Sequence, residues 1–213
     1  MRKAWRGFFM RPLDGEKRRA HIFFMARILV TLMAFVLLGA AAACSPKTTP
    51  HVPEQLSLDQ LFERLHHAAS DQEARLIEAT IRTVWTTNGR PETRKLMGQA
   101  IALVHHGELE AAEKLLNQVI EQAPAMVAAW NLRATIRYAR DDYPQALYDI
   151  AVTLKLEPRH FGAWAGLGLI MLDQGNKQAA LRAFETALRY NPHMTDLWED
   201  VRQLRRELSG IPA

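Results

Sequence analysis

Cysteine is nearly absent from this sequence: Cys44 is the single one among 213 residues. One thiol excludes an intramolecular disulfide and a cysteine-based zinc cluster. Cys44 also lies in a polar tether, "SPKTTPHVPEQ" following it, so it offers no Cys/His dyad inside a folded core. Strand signals are missing too, because no period-two alternation of apolar and polar residues persists anywhere. The GxSxG, P-loop and HExxH patterns do not occur. The histidines His66-His67 and His105-His106 are adjacent pairs. Neighbours on a helix point ~100° apart and do not chelate one ion together. These absences argue against an enzyme, a metal site and a cofactor.

Excess charge is missing from the body of the chain. The net formal charge is +4, but residues 1–43 carry 8 Lys/Arg against 2 Asp/Glu, leaving 19 basic and 21 acidic residues from Cys44 onward. The basicity belongs to the leader, and the remainder has no electrostatic footprint for a polyanion, so no nucleic acid is expected. Nearly half of the chain is apolar, enough to bury a sizeable core.

The longest uncharged run is "ILVTLMAFVLLGAAAA", residues 28–43. At sixteen residues it is short for a spanning helix, which wants ~20, and it fits the core of a secretory signal. Arg18, Arg19 and Arg27 precede it and hold that end in the cytoplasm. Residues 1–43 are read as a leader, with Met25 as the expected true start, and 44–56 as a proline-bearing flexible tether. "AAAC", ending at Cys44, resembles the lipobox of bacterial lipoproteins, with Ala41 where leucine is usual. That resemblance implies acylation of Cys44 and a membrane tether. Cleavage at an A-x-A site with soluble periplasmic release, or a retained signal anchor, stay open. All three place the protein on the periplasmic side of the envelope.

Residues 57–209 read as helix after helix. Ser57 and Gln60 form a capping box, and Leu58, Leu61, Phe62 and Leu65 make the first stripe. A second helix from about Asp71 carries Ala74, Ile77, Ile81, Val84 and Trp85, and ends before Asn88-Gly89. Beyond it a period emerges. Pro124, Pro158 and Pro192 lie 34 residues apart, as do Ala112, Ala146 and Ala180, and the turn residues Gly107, Asp141 and Gly175. A helical pattern with this period resembles the tetratricopeptide repeat family.

The copy at 161–194 carries the resemblance best, with Trp164, Leu167-Gly168, Ala180, Phe184, Ala187 and Pro192. The copy at 127–160 keeps Trp130, Ala134, Ala146 and Pro158 but departs at Arg133 and Arg137. The copy at 93–126 is degenerate, with Leu96, Ala100, Ala112, Leu116 and Pro124. The resemblance implies an all-α, right-handed α-α solenoid of three hairpins. A helix pair over 57–90 precedes them as a decayed repeat or cap, and a solvating helix over 195–209 closes the array. Within the stretch "AWAGLG", Gly166 and Gly168 each cost a helix roughly 1 kcal/mol against alanine. Gly168 is expected opposite Ala180, where two helices approach closely, with Trp164 and Phe184 between the layers. Asp141-Asp142 are expected to occupy a turn and cap the next helix, and Asp149 to pair with Arg133. Arg202, Arg205 and Arg206 read as a solvated face.

By the same resemblance the first helix of each repeat lines a concave groove. Its lining would be Met97, Ile101 and Val104, then Asn131, Thr135 and Tyr138, then Ala165, Leu169 and Leu172. Chaperone-binding members of the family grip a C-terminal carboxylate with lysine, asparagine and arginine. Those places hold Met97, Ile101, Leu132, Gly162 and Gly166 here, so a carboxylate-terminated tail is not the expected ligand. An apolar groove suits an amphipathic helix or an extended apolar peptide. Occupation of the groove by the chain's own N-terminal helices stays open. The expected role is an envelope-tethered protein-binding adaptor. The alternative is a structural subunit of an envelope assembly, of pilus or outer-membrane biogenesis type, docking by its convex face or end helices.

Overall fold

The computed structural model describes residues 56–210. The leader, the lipidation residue Cys44 and nearly all of the tether lie outside them. The described residues form nine α-helices: α1 Leu58–His66, α2 Asp71–Thr86, α3 Pro91–His106, α4 Leu109–Gln122, α5 Val127–Ala139, α6 Tyr143–Leu156, α7 Phe161–Asp173, α8 Lys177–Tyr190 and α9 Thr195–Ser209. No strand occurs among the described residues, and none of their helices is long and apolar enough to cross a membrane.

Local chemistry sets the ends. Ser57 accepts from the Gln60 amide while the Gln60 side chain accepts from the Ser57 amide, so the capping box is formed. Ser70, Asp142 and Asn176 accept from amides three residues on and start α2, α6 and α8. The hairpin turns carry Gly107, Asp141 and Gly175 in left-handed backbone, at φ of 80°, 61° and 79°. Glycine takes that conformation freely, and Asp141 is the one side chain asked to adopt it.

Three hairpins, α3/α4, α5/α6 and α7/α8, stack in chain order, with α9 laid against α8. A repeated bond fastens each joint. The indoles of Trp130, Trp164 and Trp198 donate to the carbonyls of Pro124, Pro158 and Pro192 at 2.8, 2.8 and 2.9 Å. Trp198 thus extends the tryptophan series into α9. Trp164 is half-buried and fastens this joint through its indole N–H. Ala112, Ala146 and Ala180 are all fully buried.

Small and large residues recur in matching register across the hairpins. Ala100 sits in the register of Leu116, Ala134 in that of Ile150 and Gly168 in that of Phe184, all buried. A Cβ on Gly168 would run into the Phe184 ring, so the close approach there is to Phe184, not to Ala180. Two apolar residues leave their expected stripes: Val84 and Leu208 are 40% and 39% exposed.

The N-terminal pair does not extend the stack as another hairpin. α1 packs on α2, and α2 packs against α5. Trp85 of α2 stacks on His160 with ring centroids 4.0 Å apart, at the start of α7. The pair therefore bridges to the second and third repeats, as a cap on the array does and a further stacked hairpin does not.

Candidate functional site

The first helices of the hairpins, α3, α5 and α7, carry the nine residues expected to line a groove. Burial divides these into a buried set, mostly near the N-terminal ends of the helices, and a half-buried set reaching the C-terminal, open end. Met97, Asn131 and Ala165, nearest the N-terminal ends of their helices, are buried at 2%, 6% and 3% exposure. Val104 is buried as well. Ile101, Thr135, Leu169, Tyr138 and Leu172 are half-buried. Thr135 spends its hydroxyl on the Asn131 carbonyl at 3.0 Å, as threonine in a helix does.

At the open end polar chemistry gathers on one carboxylate. The hydroxyls of Tyr138 and Tyr143 both donate to Asp173 Oδ2, at 2.9 and 3.1 Å. Partial burial and the Asp173 carboxylate push the Tyr143 phenol above its ordinary pKa, which favours its protonated, donating form. Any ligand at this end meets Tyr138 already engaged with Asp173.

At the covered end α1 and α2 lie over the turn that joins the second and third repeats. His160 is buried, and its Nδ1 accepts from the Ala163 amide at 3.0 Å, capping α7. Burial, with Arg82 adding to it, pushes its imidazole down to about 3, so the ring is neutral. Phe161 lies next to it and meets Trp85 and Phe62 at centroid distances of 5.4 and 6.4 Å. Tyr190 meets Phe62 at 6.5 Å. Polar links reach across as well, among them Arg159 to Asp59 at 2.6 Å and Asn191 to Glu78 at 3.3 Å. The sequence signal for this contact is the turn itself, where Arg159, His160 and Phe161 replace Ala125, Met126 and Val127 of the preceding copy.

Behind the groove the second repeat holds an ion network. Arg133 binds Asp149 through two bonds, 2.9 and 2.7 Å, and also Asn117 at 2.7 Å. Arg137 donates to the same carboxylate at 2.9 Å and to Glu113 at 2.9 Å, while Arg140 takes the second Glu113 oxygen at 3.0 Å. The Arg133–Asp149 pair is the expected one, and Arg137 turns it into a bridge between α4, α5 and α6. Its groups are bonded to one another across the two repeats.

A stack of two-helix units joined in chain order, each touching its neighbours, defines an α-solenoid protein. Family models described as tetratricopeptide repeat match residues 161–194 and 97–155. A TPR repeat-containing protein of Rhizobium etli is 33% identical over 153 residues, covering 72% of this chain and 75% of that protein. This chain belongs to the tetratricopeptide repeat family. A heat-shock protein cognate co-chaperone of Aspergillus fumigatus is 28% identical over 98 residues, 46% of this chain and 29% of its own length. Among solved structures, the Sgt2 TPR domain from Aspergillus fumigatus superposes with a TM-score of 0.52 at 23% identity, over 57% of this chain and 82% of that domain. The first TPR of Spaghetti, bound to an HSP90 peptide, gives 0.53 at 14% identity, over 58% and 98%. At these identities the two structures speak for the fold.

Proposed function

We propose that the protein is a non-enzymatic adaptor that binds a protein or an apolar, amphipathic peptide along the inner face of its repeats. The observation that carries this reading is the open end of the groove. There Ile101, Thr135, Leu169 and Leu172 present half-buried apolar surface beside the Tyr138–Asp173 pair. A solved relative in fold holds an HSP90 peptide. The chain has Met97, Ile101, Leu132, Gly162 and Gly166 where a carboxylate clamp would need cations, so its ligand is held by apolar contact and not by a free C-terminus. The adaptor works at the periplasmic side of the envelope, tethered through an acylated Cys44 or the apolar leader. No metal, cofactor or nucleic acid takes part.

A photo-crosslinking residue at Leu169 tests the groove, with one at Tyr148, an exposed residue of α6, as control. Leu169 captures a partner that Tyr148 does not, and Tyr138→Ala weakens the capture. Labelled palmitate incorporation, lost in Cys44→Ser, tests the anchor. The alternative role, a structural subunit of an envelope assembly, draws on exposed Tyr148, Leu156 and Trp198. It predicts capture from those positions and none from Leu169.

A further inference from the structure

The contact between α1 and the repeats has the form of a bound ligand. Asp59 and Phe62 are three residues apart and share one face of α1. Arg159 serves both: its Nη1 binds Asp59 Oδ1 at 2.6 Å, and its guanidinium lies 4.5 Å from the Phe62 ring centre. The same ring meets Phe161 and Tyr190 edge-on. Arg159 is preset for this by its own turn, since Glu157, itself buried, accepts from its Nε at 3.0 Å. The receiving groups therefore belong to the repeat body, and α1 brings the matching acid and aromatic ring.

The occupant buries Leu61, Phe62 and Leu65 in this contact but depends on it for its own helical form. α1 is nine residues long, too short to be a stable helix by itself in water. Asp59 is an exposed partner at the rim, so its ion pair orients more than it stabilises. In the adjoining α2 contact the Trp85 indole N–H is buried without an acceptor.

We propose that Arg159, Phe161 and Tyr190 form a docking site for a partner protein's amphipathic helix with a carboxylate three residues before an aromatic. α1 is the built-in occupant that such a helix displaces. This rests on the reading of the protein as a protein binder. It adds to the open groove a second, self-closed site with a stated recognition pattern. A site closed by its own segment binds a competitor more weakly by the fraction of time it is open, so a chain open one part in a hundred shows about a hundredfold loss.

The test uses the full chain and a fluorescein-labelled peptide of residues 56–70, read by anisotropy. Asp59→Arg with Phe62→Ala in the chain frees the site, and the peptide binds this variant at least about tenfold more tightly than the parent chain. Arg159→Glu in the freed variant lowers binding about tenfold, and a peptide carrying Asp59→Arg restores it. Equal binding by parent and freed chains with intact helical circular dichroism overturns the proposal, as does failure of the charge swap. If the freed chain does not fold, hydrogen exchange on the parent chain decides. α1 amides that exchange well ahead of α7 and α8 support the displaceable occupant, and exchange only in step with them refutes it. Partner capture at Leu169 with no peptide effect removes this site and leaves the adaptor reading standing. A working charge swap with no capture at Leu169 does the reverse.

Discussion

In the second repeat the space between paired helices holds Arg133, Arg137 and Asp149. Thirty-four residues on, the third repeat holds Leu167, Met171 and Ala183 at the same places. The backbone solution is the same in both: a left-handed turn residue, a buried alanine and a tryptophan bonded to a proline carbonyl. One interior is therefore held by charge and the other by apolar packing. A repeat fold tolerates this because each unit touches only its neighbours, so chemistry can change from unit to unit while the period stays. The difference also has a direction. Asn117 and Glu113 come from the first repeat, so the ion network fixes which hairpin stacks on which. The apolar interior of the third repeat carries no such address. It gains close packing instead, with glycine opposite phenylalanine.

The sharpest way to break this contrast is at Asp149. Asp149→Ala puts the third repeat's residue into the second and leaves buried Arg133 and half-buried Arg137 without their shared carboxylate. It is expected to cost about 3–5 kcal/mol in urea unfolding. Converting all three, Arg133→Leu, Arg137→Met and Asp149→Ala, restores a matched apolar interior and is expected to recover that loss or exceed it by about 1–4 kcal/mol. A triple variant as unstable as the single one would show that the network, and not apolar filling, is what this hairpin needs. The opposite exchange starts from Gly168. Gly168→Ala pushes a methyl into the Phe184 ring and is expected to cost about 1–3 kcal/mol. Adding Phe184→Ile recreates the Ala134–Ile150 pairing of the second repeat. The two changes together should then cost less than the sum of each alone, which a double-mutant cycle reads directly.

The period, the helical hairpins, the turn residues and the Arg133–Asp149 pair are all legible in the sequence, because each follows from spacing within about thirty residues. The partner of Gly168 is not legible in the same way. Ala180 and Phe184 are one helical turn apart on the same face, and only packing decides which of them meets the glycine. The position of α1 and α2 is further out of reach. An amphipathic stripe such as Ala74, Ile77, Ile81 and Trp85 says that a helix packs, but not on what. Trp85 finds His160 across 75 residues of chain. The groove suffers from the same limit, since the burial of Asn131 depends on what the fold brings over it.

His160 separates the second and third repeats once more, for the second has Met126 in its place, buried and with no side-chain bond to the helix it precedes. The neutral His160 ring has a folded pKa lowered to about 3 from 6.5. Its unfolded form binds a proton first, so stability is lost as pH falls below the unfolded value. Between pH 7 and pH 5 that loss is expected to be about 2 kcal/mol. His160→Met, the second repeat's residue, should flatten this part of the pH profile of urea unfolding while forfeiting the cap on α7. An unchanged slope would place the acid sensitivity elsewhere.

The smallest difference lies in the turns. Gly107 and Gly175 hold left-handed backbone without strain, and Asp141 holds it with a side chain at φ 61°. L-residues there carry a penalty of roughly 1 kcal/mol, eased for aspartate by local bonding of its short polar side chain. Asp141 also accepts from the Tyr143 hydroxyl at 3.3 Å, a long bond in an exposed turn. Backbone relief should outweigh the loss of that bond. Asp141→Gly is therefore expected to raise stability by up to about 1 kcal/mol, while Gly107→Ala and Gly175→Ala each lower it by about as much. A loss on Asp141→Gly would mean that the contact to Tyr143, and through it to Asp173, matters more to the second hairpin than its backbone geometry.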